Sequence, residues 1–270
     1  MTGESLTQVC LSDDAIIVED LTLSYDQQVI QQNLNFTVKR NDIFVIMGNS
    51  GSGKSTLMRA MTGLDRPANG DVFYSCTTGH NGYWQATHDA QLKMMAQYGV
   101  MFQNGALFSS MTLLDNVAIR LVETTQYSLS RIHKIARYKL SLVGLKGFEY
   151  YYPSEISGGM QKRVAIARAM AMDPPILFFD EPSAGLDPIS SKLLDDLLLE
   201  LRNSMGITMV VVTHELDSIF SIANDAIFLD HEQKTIIARG DPKEMMKDDS
   251  NRQVQSFLNR GRELNRSKLS

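Results

Sequence analysis

The chain has 270 residues, 43% of them hydrophobic and 21% charged, with a formal net charge of −5 at pH 7. That length supports one large domain, or a domain with a subdomain, around a substantial core, and the acidic balance argues against a surface that coats nucleic acid. No apolar run approaches the ~18 residues of a membrane span, no signal-peptide pattern opens the chain, and Cys10 and Cys76 have neither metal nor redox spacing, so free thiols in a cytoplasmic protein are expected.

Residues 1–14 are polar and expected to be loose. From Ala15 to Val38, alternating runs such as Ile16-Ile17-Val18 and Asn35-Phe36-Thr37-Val38 predict short strands of an antiparallel β element. Residues 43–63 then read as strand, loop and helix: Ile43–Met47 is a continuous apolar run, Leu57–Met61 is helical in character, and Gly63 is a helix stop. The loop between them, Gly48-Asn49-Ser50-Gly51-Ser52-Gly53-Lys54-Ser55-Thr56, matches G-x-x-x-x-G-K-[ST]. Its glycines let backbone N–H groups turn inward onto phosphate oxygens, and the helix N-terminus adds positive potential. Lys54 is placed to reach the outer phosphates, and Ser55 to offer its hydroxyl to Mg²⁺. This is a nucleotide site.

Residues 72–92 include the loop Gly79-His80-Asn81-Gly82-Tyr83-Trp84, and His80 and His88 in this stretch read as exposed loop residues without metal-ligand spacing. Residues 104–165, including Arg131–Leu142, are largely helical and define a helical subdomain. Asp173-Pro174-Pro175 stops the helix that follows Ile156-Ser157-Gly158-Gly159. The run Ile176–Phe179 then reads as a central strand of a parallel sheet buried on both faces. It ends in Asp180-Glu181, at the carboxyl end where open α/β sheets bind ligands. Asp180 suits Mg²⁺ as a hard oxygen ligand, and Glu181 suits the general base that polarises water. Leu193, Leu194, Leu197, Leu198 and Leu201 predict the apolar face of a helix. Met209–Val212 predicts another strand core. Alternating strand and helix over 176–230 make a parallel α/β sheet the expected centre. Residues 250–270 carry Arg252, Arg260, Arg262, Arg266 and Lys268 against Glu263, and a solvated basic tail is the default.

These residues together resemble, over nearly the whole chain, the ATP-binding subunits of ABC transporters. The resemblance implies an ABC cassette over 15–249 in which two copies pair head to tail around two ATP molecules. Lys54, Ser55, Asp180 and Glu181 of one copy would face Ser157, Gly158 and Gly159 of the other. It also implies that Tyr25 stacks on adenine, that Gln103 senses Mg²⁺ and water, that Ser183–Asp187 crosses the interface, and that His214 contacts the γ-phosphate. Met160 stands where the commonest signature has Gln; Met donates no hydrogen bond, which removes a side-chain contact there. Met160, the run Phe102–Phe108, Asp115–Ala118 and Gln255–Asn259 narrow the resemblance to the Mla/Mce-type phospholipid transport ATPases of diderm bacteria. That branch implies a membrane permease docked near Gln103 and the helical subdomain, and a peripheral place on the inner membrane. It further implies a small regulatory subunit, a substrate-binding membrane protein, and a C-terminal arm crossing to a second subunit. An ABC ATPase for an amino acid, an ion or another small molecule, a non-transport ABC ATPase, and a nucleotide-binding regulator without turnover are the rival readings.

Overall fold

A computed structural model describes residues 13–26, 28–74, 82–103, 105–248 and 250–267, with side chains to 260. The elements are β1 (Asp14–Tyr25), β2 (Gln28–Lys39), β3 (Ile43–Gly48), α1 (Lys54–Met61), β4 (Asn69–Tyr74), α2 (His88–Met95) and β5 (Tyr98–Met101). Then come α3 (Leu113–Thr124), α4 (Leu129–Leu142), a 3₁₀ turn at Pro153–Glu155, α5 (Gly158–Ala169), β6 (Ile176–Asp180), α6 (Pro188–Met205) and β7 (Thr208–Val212). The chain closes with α7 (Leu216–Ile222), β8 (Asp225–Asp230), β9 (Thr235–Gly240), α8 (Pro242–Met245) and α9 (Arg252–Ser267).

The central sheet has the order β5-β6-β7-β3-β8-β9. Its first five strands run parallel, and β9 pairs antiparallel with β8. A second, antiparallel sheet has the order β2-β1-β4. The continuous apolar runs explain the central strands: both faces are covered, so every residue of β3, β6 and β7 is buried. The pleat divides them. Phe44, Ile46, Phe178 and Val210 join Leu57 and Met58 of α1 and the antiparallel sheet in one core. Ile43, Val45, Met47, Phe179 and Val211 face the other way, into a core with α3 to α7 and α9. The sheet order brings the carboxyl ends of β3 and β6, which flank β7, to one edge of the molecule.

Several expectations are corrected. The antiparallel strands are twelve residues each rather than short segments. His88 opens α2 instead of lying in a loop, although it is exposed. His80 and Cys76 fall outside the described residues, as do Cys10 and residues 1–12. The leucine stripe of α6 is core at Leu194, Leu197, Leu198 and Leu201, but Leu193 is 58% exposed: the helix buries a narrower face than five leucines suggest. The solvated-tail reading fails for 252–260, where α9 buries Val254, Phe257 and Leu258. Their i, i+3, i+4 spacing is that of an apolar helix face, and it outweighs the basic residues before and after them.

Candidate active site

The loop after β3 is shaped by close backbone approach. A Cβ on Gly48 would stand 2.4 Å from the carbonyl oxygen of Leu229, the residue paired with it on β8. Gly53 has φ +85°, left-handed, directly before the first residue of α1. Lys54 therefore begins α1 beneath its own loop, 8% exposed. Its Nζ donates to the carbonyls of Gly48 and Asn49, each at 3.0 Å. Burial lowers its pKa, opposed by the carboxylates of Glu181 and Asp180. Among the described residues no acid forms a salt bridge with it. A buried cation held only by carbonyls suits a polyanion placed in the loop.

Asp180 ends β6 beside this loop, and Ser55 Oγ donates to its Oδ1 at 3.0 Å. Burial raises the Asp180 pKa against that hydrogen bond, with the neighbouring Glu181 raising it further. One hydroxyl and one carboxylate are the hard oxygens Mg²⁺ accepts alongside water and substrate phosphates. No group of three or more His, Cys, Asp or Glu that would cage a metal occurs among the described residues. The donors fit magnesium carried in with a nucleotide.

Glu181 turns out of β6 with φ +48°, an unusual conformation for a residue with a side chain, and its N–H donates to Val212 O on β7 at 2.8 Å. Strain of this kind concentrates at functional sites. The residue is 7% exposed; Oε1 meets His214 Nδ1 at 2.7 Å, and Oε2 is buried with no hydrogen-bond partner. His214, just past β7, is 59% exposed at the side chain. The pair is a carboxylate oriented by an imidazole, with one oxygen available to take a proton.

A cleft of about 890 Å³ gathers these parts. Tyr25, Gly48, Asn49, Ser50, Gly51, Gly53, Lys54, Ser55, Thr56, Gln103, Glu181 and His214 all line it, with Tyr25 72% exposed. Ser52 is buried under the loop, and Asp180 joins through Ser55. Ser157, Gly158 and Gly159 do not line the cleft. Ser157 caps α5, its Oγ accepting from Met160 N at 3.3 Å, and Ser157 and Gly158 are exposed. The glycines answer no demand of their own chain. Neither has a left-handed φ, and a Cβ would meet nothing closer than 4.0 Å at Gly158 and 3.5 Å at Gly159. Asp187, at the end of the Ser183–Asp187 loop, caps α6, accepting from Ile189 N and Ser190 N.

Sequence reasoning missed several residues here. Gln31, fully buried on β2, donates from Nε2 to Ser52 O and to Asp230 O, both at 2.8 Å, and so holds the loop against the end of β8. Nothing local distinguishes this glutamine on a strand. Lys162 of α5 donates to Gln103 O, and Arg168 donates to Gly105 O and Ala106 O at 2.6 and 2.7 Å, tying α5 to the loop that carries Gln103. Burial lowers the pKa of Lys162. Phe257 and Arg260 of α9 also line the cleft; the apolar spacing of α9 is a signal for Phe257, and nothing local marks Arg260.

A phosphate loop, a strand-end Asp-Glu pair and a histidine beyond the next strand define a P-loop nucleotide hydrolase of the cassette type. The chain belongs to the ABC transporter family, whose pattern matches residues 31–184, and it is an ATPase of that family. It is 36% identical over 245 residues to the intermembrane phospholipid transport system ATP-binding protein MlaF of Haemophilus influenzae, covering 91% of this chain and 90% of that one. The MlaF of Escherichia coli is 37% identical over 89% of this chain and 87% of its own. The probable ribonucleotide transport ATP-binding protein mkl of Mycobacterium tuberculosis is 35% identical over 91% of this chain and 66% of its own. Among solved structures, the dimeric bacterial ABC transporter cassette MJ0796 superposes with a TM-score of 0.74 at 30% identity, over 84% of this chain and 98% of that one. The same cassette in a dimeric post-hydrolysis state with ADP and phosphate gives 0.73 at 29% identity, over 84% and 98%.

Proposed function

We propose that this chain is the ATP-hydrolysing subunit of a phospholipid-trafficking ABC transporter, working as a homodimer docked on an integral-membrane permease at the cytoplasmic face of the inner membrane. The observation that carries the paired arrangement is the unused glycine pair: Gly158 and Gly159 weaken their own helix, while their chain leaves room for a side chain at both. A helix start with exposed N–H groups suits a phosphate supplied by another copy.

In this reading the loop Gly48–Thr56 cradles the phosphates, Lys54 takes the outer ones, and Tyr25 stacks on the base. Ser55 and Asp180 would hold Mg²⁺, with Gln103 near it; the ion supplies neutralisation of phosphate charge. Glu181, oriented by His214, accepts the proton of a water whose oxygen forms a bond to the γ-phosphorus as the bond to the ADP oxygen breaks. Ser157–Gly159 of the partner subunit close the site, so binding favours the closed pair and hydrolysis releases it. Closure would pass to the permease through the loop at Gln103 and α5, which Lys162 and Arg168 couple. No helix among the described residues is long and apolar enough to cross a membrane, consistent with peripheral attachment. A regulatory subunit and a substrate-binding membrane protein complete the proposed assembly.

The cargo follows the two MlaF relatives, which the chain matches along most of their length. The relative named for ribonucleotide transport favours a second reading in which the cargo differs and every catalytic residue is unchanged. Purification of the chain with its permease, followed by mass spectrometry of bound lipid and by phosphate release, tests both. Phospholipid copurifying with an ATP-hydrolysing complex supports the proposal. A lipid-free complex whose turnover responds to ribonucleotides sinks it.

A further inference from the structure

The nucleotide cleft has a wall that the cassette motifs do not provide. Helix α9 docks on the body of the protein at three points. Phe257 meets Phe228 of β8 edge to face, with ring centroids 5.1 Å apart. Gln253 Nε2 donates to the Asp230 carboxylate at the end of β8. Asn251, just before the helix, donates to Ile237 O at 3.1 Å. Asp230 is also the residue whose backbone carbonyl accepts from Gln31 Nε2, and that same amide holds Ser52 O in the phosphate loop. A short polar chain, Gln253 to Asp230 to Gln31 to Ser52, thus connects α9 to the loop that grips phosphate.

Docked this way, α9 turns the face carrying Phe257 and Arg260, three residues apart, towards the cleft, and both line it. Among the described lining residues, Lys54 and Arg260 are the two that carry a fixed positive charge. Lys54 lies beneath the loop with its Nζ on carbonyls, whereas Arg260 is exposed on a different element. Arg presents a planar fork of donors suited to phosphate oxygens.

We propose that Arg260, carried by the docked helix α9, is a nucleotide-binding residue of its own chain, contacting the phosphates of ATP in the cleft. The inference rests on the reading of that cleft as the ATP site. It makes the C-terminal helix part of the site, so that displacing α9 weakens ATP binding by removing a cation and by releasing the Gln253–Asp230 contact behind the phosphate loop.

The test is calorimetric titration of the full chain with ATP and magnesium. Arg260→Ala raises Kd fivefold or more and Arg260→Glu raises it further. Arg260→Lys stays within about threefold of the parent, because the charge remains. The gap between parent and Arg260→Ala narrows as salt is raised, as it must for an exposed charge contact. Lys54→Ala in the same titration separates the two levels of the argument. If Lys54→Ala loses ATP binding while Arg260→Ala stays within twofold of the parent, Arg260 is not a ligand, and the proposal falls with the site intact. If Lys54→Ala binds ATP normally, the cleft itself is misassigned and the proposal falls with it. Since Arg260 is exposed, its variants are expected to fold, and an unchanged melting temperature checks that.

Discussion

Replacing Gly159 with Ala should stabilise the isolated chain and disable the enzyme. Gly159 is the second residue of α5, has no left-handed φ, and a Cβ there would meet Ser190 Cβ at 3.5 Å, Ser190 Oγ at 3.6 Å and Leu186 Cδ2 at 3.9 Å. These are ordinary contacts, so alanine fits without displacing a neighbour. Helix propensity and lost unfolded-state entropy then favour alanine by about 0.5–1 kcal/mol, which for a chain of this size raises Tm by about 2 °C. In the paired assembly the same Cβ would stand where the partner's nucleotide phosphate approaches the backbone. Losing one charge-assisted hydrogen bond costs about 1.5–3 kcal/mol, or a fall of about 10- to 150-fold in turnover. Differential scanning fluorimetry and phosphate release on the permease complex measure the two effects. ATP binding to the isolated chain should be unchanged, because the cradle is on the other side of the site. Parental turnover in a stabilised Gly159→Ala protein would refute the trans arrangement, and a loss of several degrees in Tm would refute the packing argument.

Glu181→Gln keeps the shape of the buried side chain but removes the base, so turnover should fall about 100-fold or more while ATP binding is retained; parental phosphate release would remove Glu181 from that role. Asp195 on α6 is 5% exposed, and burial raises its pKa from 3.8 to about 6. The folded state therefore holds the proton more tightly, and stability is lost as pH rises through that window, by about 2–3 kcal/mol. Asp195→Asn should accordingly raise Tm above pH 6 and leave it unchanged near pH 4; an equal gain at both pH values would exclude this titration as the cause. Asn116 is fully buried, accepting from Phe108 N and donating to the carbonyls of Phe108, Met111 and Thr112. Asn116→Ala should lower stability by about 2–4 kcal/mol, since several buried backbone groups lose their partner together; a chemical-denaturation midpoint equal to the parent's would show that water replaces it.

What could be read early was chemistry carried by contiguous residues. The phosphate loop needs its glycines and lysine within nine positions, because one backbone turn must both surround phosphate and open a helix. The strand–Asp180–Glu181 junction is legible for the same reason: burial on both faces demands an apolar run, and the carboxylates can appear only where it ends. Leu193 shows the limit of such patterns. Its spacing places it beside a buried face, but the width of the face depends on what packs against it, and nothing in α6 encodes that. The charge count of residues 250–270 misled in the same way. Basic residues suggested solvation, whereas the apolar spacing of Val254, Phe257 and Leu258 matters only because Phe228 and the core are there to receive it.

Sequence alone therefore determined the nucleotide loop and the strand-end Asp180-Glu181 junction, which follow from short-range backbone and burial requirements, and its motifs carried the resemblance to the family. Only the tertiary structure decided which distant residues share the site. The order β6-β7-β3-β8 sets Glu181 and His214 beside the loop after β3. The packing of the antiparallel sheet on the central one places Gln31 of β2, 21 residues from Ser52 and 199 from Asp230, between the two. The packing of α9 decides that Arg260 faces the cleft. Hydrogen bonds and charges act over a few ångströms in space, and separations of that length along a chain carry no local signature.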